Sequence, residues 1–165
     1  MSAFAGFPWG HAVGVALFAW AFHECRRWPR AFALAIWPGT LAHELAHFFT
    51  GWLLAARPVA LSVWPRAQPD GSWLYGRVLF ANLRWWNKVP VGLAPLSLFP
   101  AAGWLVLHST ALPLFSVNGL GFKLLAVQLA YAAWPSQQDF RHAVSGLLVM
   151  VALAAAAYGG FLFLR

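Results

Sequence analysis

Thr40-Leu41-Ala42-His43-Glu44-Leu45-Ala46-His47 is the stretch on which the reading of this chain turns. Residues four apart on a helix lie one above the other on the same face. The imidazoles of His43 and His47 can therefore reach a single metal ion. Glu44 points to the neighbouring strip, where it can handle a proton of metal-held water without being a ligand. The H-E-x-x-H spacing carries that mechanism with it: two histidines for zinc and a glutamate as general base. Placement matters as much as spacing. The motif interrupts an apolar run long enough to span a bilayer, where ionisable groups are costly and usually mark a site.

Outward from that stretch the composition is that of a membrane protein. The 165 residues are 61% hydrophobic and 9% charged, with mean hydropathy +0.64, whereas roughly a quarter of an average soluble domain is charged. Tryptophans at the ends of apolar runs (Trp9, Trp28, Trp37, Trp85, Trp86, Trp134) suit membrane–water interfaces. The expectation is an all-α polytopic membrane protein, residues 1–165 forming one domain, with about five transmembrane helices. The net charge of +7 does not signal nucleic acid. Its Lys and Arg residues sit in the gaps between apolar runs, where membrane lipids with anionic headgroups are the expected partners. One cysteine, Cys25, excludes an internal disulfide and a multi-cysteine zinc site. The first ten residues hold no Lys or Arg, so the first apolar run is read as a helix and not as a signal peptide.

The expected spans are Gly10–Glu24 (starting as early as Phe7), Ala31–Ala56, Val89–Leu107, Gly119–Trp134 and Arg141–Leu164. His23 and Glu24 fall at a helix end, where water or headgroups solvate them. Pro38-Gly39, about one turn before His43, predicts a kink or a fresh helix start. Residues 58–80 predict a β-hairpin between helices 2 and 3. Val59, Leu61 and Val63 alternate along its first strand, Gln68-Pro69-Asp70-Gly71-Ser72 forms the turn with Asp70 a turn residue, and Trp73–Phe80 returns. Asn82–Lys88 reads as interfacial. Pro90, Pro95 and Pro100 predict a bent or partly unwound third span, whose freed backbone would line a wet cavity or be buried in protein. Lys123 is placed to snorkel to the surface.

A catalytic zinc takes three protein ligands and one open position. The chain has four acids: Glu24, Glu44, Asp70 and Asp139. Glu44 is assigned as the base, Glu24 belongs to a helix end and Asp70 to the turn. Asp139 is the expected third ligand, with His142 as its substitute on the same helical face. The competing role for Asp139 is an N-cap or an ion pair with Arg141.

These residues together resemble the site-2 protease family of intramembrane zinc metalloproteases, in the form of a small divergent member. His43-Glu44-x-x-His47 in an apolar span, the hairpin after it and Asp139 beyond Pro135-Ser136 carry the resemblance, over roughly residues 31–145. It departs from the family where no glycine follows Asp139. The family's helix-borne asparagine has no clear counterpart in Val89–Leu107; Asn82 and Asn87 lie just before it. The resemblance implies one Zn2+ per chain on His43, His47 and Asp139, with Glu44 catalytic. By the same analogy a substrate strand pairs with Val59, Leu61 and Val63. Substrates would be membrane proteins or peptides, with room for an accessory membrane subunit, and a bacterial inner membrane is the expected location. Two other classes remain: an inactive metal-binding membrane scaffold or partner subunit, and a small transporter or ion pathway.

Overall fold

Helices dominate because the apolar runs leave the backbone no partner but itself. The structure, a computed structural model, describes residues 9–69 and 71–163. Phe7 as a helix start, Asp70 as a turn residue and the far end of the last span at Leu164 lie outside the described residues. The helices are α1 (Trp9–Cys25), α2 (Pro29–Ala35), α3 (Trp37–Leu53), α4 (Trp85–Leu93), α5 (Leu98–Ser109), α6 (Val117–Ala132) and α7 (Gln137–Phe163). A 3-10 turn, Ala94–Ser97, joins α4 to α5. Two helical stretches are long and apolar enough to cross a membrane: the continuous run Trp85–Ser109, and Gln137–Leu162.

The breaks follow proline. The expected second span is divided at Ile36, and α3 starts afresh with Pro38 in its first turn, where a missing N–H costs nothing. The third span unwinds into the 3-10 turn around Pro95. His23 is exposed, and Glu24 pairs with Arg27 at 3.2 Å at the end of α1, as expected of helix-end groups. Lys123 overturns its expectation. It is fully buried rather than snorkelled, and its ammonium donates to the carbonyls of Leu114 and Gly119, each at 3.2 Å.

The hairpin forms between α3 and α4 in two antiparallel pieces. β1 (Pro58–Ser62) pairs with β4 (Arg77–Phe80), with Leu61 opposite Val78, and β2 (Arg66–Ala67) pairs with β3 (Trp73–Leu74). Gly71 closes the turn with φ 81° and an N–H to the Gln68 carbonyl at 3.0 Å. Asn82 and Asn87 clamp the base of the hairpin. Asn82 Nδ2 donates to the Ala55 carbonyl at 2.9 Å. Asn87, fully buried, donates to Leu54 and Asn82 carbonyls at 3.3 and 3.1 Å.

α3 sits at the centre, packed on α6, α4 and the β1–β4 sheet, while α4 packs on α7 and α5 on α6. One core cluster joins Phe22, Phe32, Ile36 and Val127, with Tyr75 and Tyr131 against it; another joins Ala102, Leu105, Ala126 and Leu129. The α4–α7 contact depends on two glycines. A Cβ at Gly92 would stand 2.6 Å from the Asp139 carbonyl oxygen, and one at Gly146 would stand 2.9 Å from that of Trp85. That close approach carries the start of α7 to the middle of α3.

Candidate metal centre

The two histidines of α3 face the first turn of α7. His43 Nε2 and His47 Nε2 are 3.1 Å apart, and they lie 3.4 Å and 3.2 Å from Asp139 Oδ2 and Oδ1 respectively. His47 is buried, and the His43 and Asp139 side chains are 13% and 16% exposed. His43, His47 and Asp139 thus form a group that can hold a metal ion. His142 lines the same cleft but is not part of that group.

Which nitrogen faces the group is decided by what the other one touches. His43 Nδ1 lies 2.6 Å from the Ala132 carbonyl oxygen, and His47 Nδ1 lies 2.7 Å from that of Val91. A carbonyl only accepts, so each Nδ1 carries its hydrogen, and in that tautomer each ring turns an Nε2 lone pair inward. Two lone pairs and a carboxylate then converge with no donor between them, an arrangement that asks for a cation. The spacing fits one. Ligands at about 2.0–2.1 Å from a tetrahedral ion stand roughly 3.3 Å from each other, close to the separations found.

Each anchoring carbonyl lacks its usual i+4 backbone donor for a reason written in the chain, and that of Val91 takes only the Ala94 N–H from the backbone. Four residues after Val91 stands Pro95, which has no N–H to give it. Four residues after Ala132 stands Ser136, just past Pro135, and its N–H goes elsewhere: it donates to Asp139 Oδ2 at 2.8 Å. In return the Asp139 N–H donates to Ser136 Oγ at 3.2 Å. This reciprocal pair is a capping box at the start of α7. It orients the Asp139 carboxylate and releases the Ala132 carbonyl for His43 in one rearrangement. Ser136, not Asp139, is the N-cap; Asp139 is the third helical residue of the box, and the same carboxylate belongs to the group with His43 and His47. Arg141 makes no ion pair with it among the described residues.

Glu44 is buried beside the group, with its carboxylate accepting no hydrogen bond among the described residues. It opens on a cleft of about 1230 Å³ between α3, the hairpin and the α6–α7 junction, whose walls include Arg26, Tyr75, Arg77, Trp134 and His142. Burial pushes the Tyr75 phenol above its usual pKa against the opposing pull of Arg26, so it stands in the wall as a neutral hydroxyl.

Val59, Leu61 and Val63 do not line this cleft. Val59 and Leu61 are exposed, and the Val63 carbonyl accepts a hydrogen bond from Trp37 Nε1 at 3.1 Å. The strands that border the cleft are β3 and β4, residues 73–80. β1 lies on the other side of β4, which takes its side chains out of reach. Asn82 and Asn87 are likewise outside the cleft walls, occupied in the clamp. Sequence reasoning missed the Val91 and Ala132 carbonyls, Ser136 and Gly76. The signal for the first three was the position of Pro95 and Pro135 relative to those carbonyls; for Gly76 there was none.

No protein-family model, curated protein or solved structure gives a significant match to this chain.

Proposed function

We propose that this chain is an intramembrane zinc metalloprotease that hydrolyses peptide bonds of membrane-associated substrates. The observation that carries the reading is the convergence of two Nε2 lone pairs and one carboxylate, with the unpaired carboxylate of Glu44 buried next to them in a large cleft. Two imidazoles and one carboxylate form a common set for catalytic zinc, which leaves a position open. Zinc, when bound, supplies Lewis acidity to water and to a carbonyl oxygen. The Glu44 carboxylate takes a proton from the attacking water and delivers it to the departing amine. The anchored imidazoles and the capped Asp139 hold their geometry while this happens.

The edge of the β1–β4 sheet that faces the cleft is β4, so an extended substrate would pair there, by analogy with strand addition. Five membrane spans are part of this reading, three of them short. The run Trp85–Ser109 and α7 are long enough, and α1, α3 and α6 have 17, 17 and 16 residues, about 24–26 Å of helix. Their outward faces are apolar, with Val13, Leu17, Trp20, Trp104 and Leu107 exposed, a surface that lipid covers and water does not.

The test is Glu44→Gln in purified chain, with cleavage of single-span model substrates and zinc content as readouts. Loss of cleavage by about 10²-fold or more, with zinc retained, is expected. Retained cleavage would remove Glu44 from the chemistry. Zinc bound by a wild type that cleaves nothing would favour the metal-binding scaffold.

A further inference from the structure

Outside the ligand group, the closest approach to Glu44 comes from the hairpin. A Cβ added at Gly76 would run into Glu44 Oε1 and stand 2.6 Å from its Cγ and 2.8 Å from its Cδ. Gly76 does not have the positive φ that would call for glycine; among the described glycines only Gly71 does. A side chain there needs the Glu44 carboxylate or the strand to shift.

The neighbours of Gly76 hold the strand where it is. Tyr75 packs edge-on against Phe32 with ring centroids 5.9 Å apart. At the other end of β4, the Phe80 ring occupies the room left by the missing side chain of Gly51. Glu44 and Gly51 are two turns apart on one face of α3, about 10 Å along its axis. Gly76 and Phe80 are about 13 Å apart along an extended strand. β4, with Gly76 directly before it, therefore lies along that face of α3 with one contact at each end. At one end a ring fills a glycine notch; at the other a bare backbone rests on a carboxylate.

We propose that Gly76 is a positioning residue for Glu44. The backbone at 76 roofs the carboxylate, restricts its rotamers and shuts out solvent from that side. Any side chain at 76 displaces the base or lifts the strand. This rests on the reading of Glu44 as the base, so the test pairs a kinetic readout with one that needs no activity.

Gly76→Ala is expected to lower kcat by about ten- to a hundredfold, a share of what a general base contributes. KM should stay within about twofold and zinc content should stay unchanged, since neither depends on the aim of the base. The second readout is the thermal midpoint of the full chain in detergent, in a double-mutant cycle with Glu44→Ala. Gly76→Ala should lower the midpoint when Glu44 is present and leave it nearly unchanged when Glu44 is truncated. If Gly76→Ala fails to fold, recovery by Glu44→Ala supports the proposal in the same way. An unchanged kcat, or an equal loss of midpoint in both backgrounds, overturns it. Should the wild type cleave nothing, the proteolytic reading fails, while the thermal cycle still decides whether residue 76 presses on Glu44.

Discussion

Two of the groups of polar side chains that the bundle buries are built differently. Around His43, His47 and Asp139, each imidazole Nδ1 has a carbonyl acceptor and the carboxylate is held in a capping box. Only the inward-facing lone pairs lack a donor. Near the start of α1 and α6, His11 and Lys123 are also buried, but nothing completes them. Among the described residues Lys123 has two carbonyls and no carboxylate, and His11 Nδ1 has no hydrogen-bond partner. The first group is closed everywhere except where an ion would sit; the second is open at an arbitrary atom. Buried polarity alone therefore does not mark a site in an apolar bundle. A convergent deficit does.

The largest break in that contrast is Asp139→Ala. It removes the negative charge and leaves two imidazole nitrogens about 3 Å apart, two ligands where three had converged. Zinc per chain should fall from about one toward none, and cleavage with it. Metal analysis of purified protein checks this. Equal zinc in wild type and variant would transfer the ligand role to His142, the other imidazole-bearing residue of that first stretch of α7 in the cleft.

Pro95→Ala probes the outer layer of the same site. Alanine restores an N–H four residues after Val91, and the Val91 carbonyl then has a second backbone donor, beside the Ala94 N–H, competing with His47 Nδ1. Zinc affinity should weaken by about 10–100-fold, the range for loss of such supporting bonds. Competition against a chelator measures it. Unchanged affinity would mean that the carbonyl serves both donors equally well. Gly92→Ala acts on the same geometry from the other side, by pushing the Asp139 backbone away from α4. The expected cost is about 1–3 kcal/mol of stability, read as a lower thermal midpoint, together with weaker zinc binding.

How much of this the chain announces depends on the range of the interaction. His43, Glu44 and His47 are legible because one helical turn brings them together, and a turn is a local fact. The hairpin is legible because alternation and Gly71 are local too. Asp139 could be reached only by elimination among four acids, since its arrival beside α3 depends on the α4–α7 contact through Gly92 and Gly146. The strand assignment went to Val59, Leu61 and Val63 because alternation describes faces and not neighbours. Whether β1 or β4 borders the cleft is settled by how the hairpin lies on α3. Nearness to a helix start suggests the surface for Lys123, but its ammonium is received by the Gly119 carbonyl one turn back on α6 and by that of Leu114, which the α5–α6 connection folds back over it.

The smallest expected effect lies in the unfinished group. His11→Phe keeps a flat ring on α1 and removes the nitrogen that has no hydrogen-bond partner among the described residues. A buried unsatisfied polar atom costs about 1–3 kcal/mol, so the substitution should raise stability by about 1 kcal/mol once crowding by the larger ring is set against it. In a chain of this size that corresponds to a gain of about 2–4 °C in thermal midpoint. Zinc content and cleavage should not change, because His11 is near Lys123 and not among the cleft walls. A loss of zinc in His11→Phe would show that the two groups are coupled through α1 and α6, and the division between a completed site and an incidental one would no longer hold. A loss of stability alone would mean that His11 Nδ1 finds a donor or a water in the folded protein, which would make the second group as complete as the first.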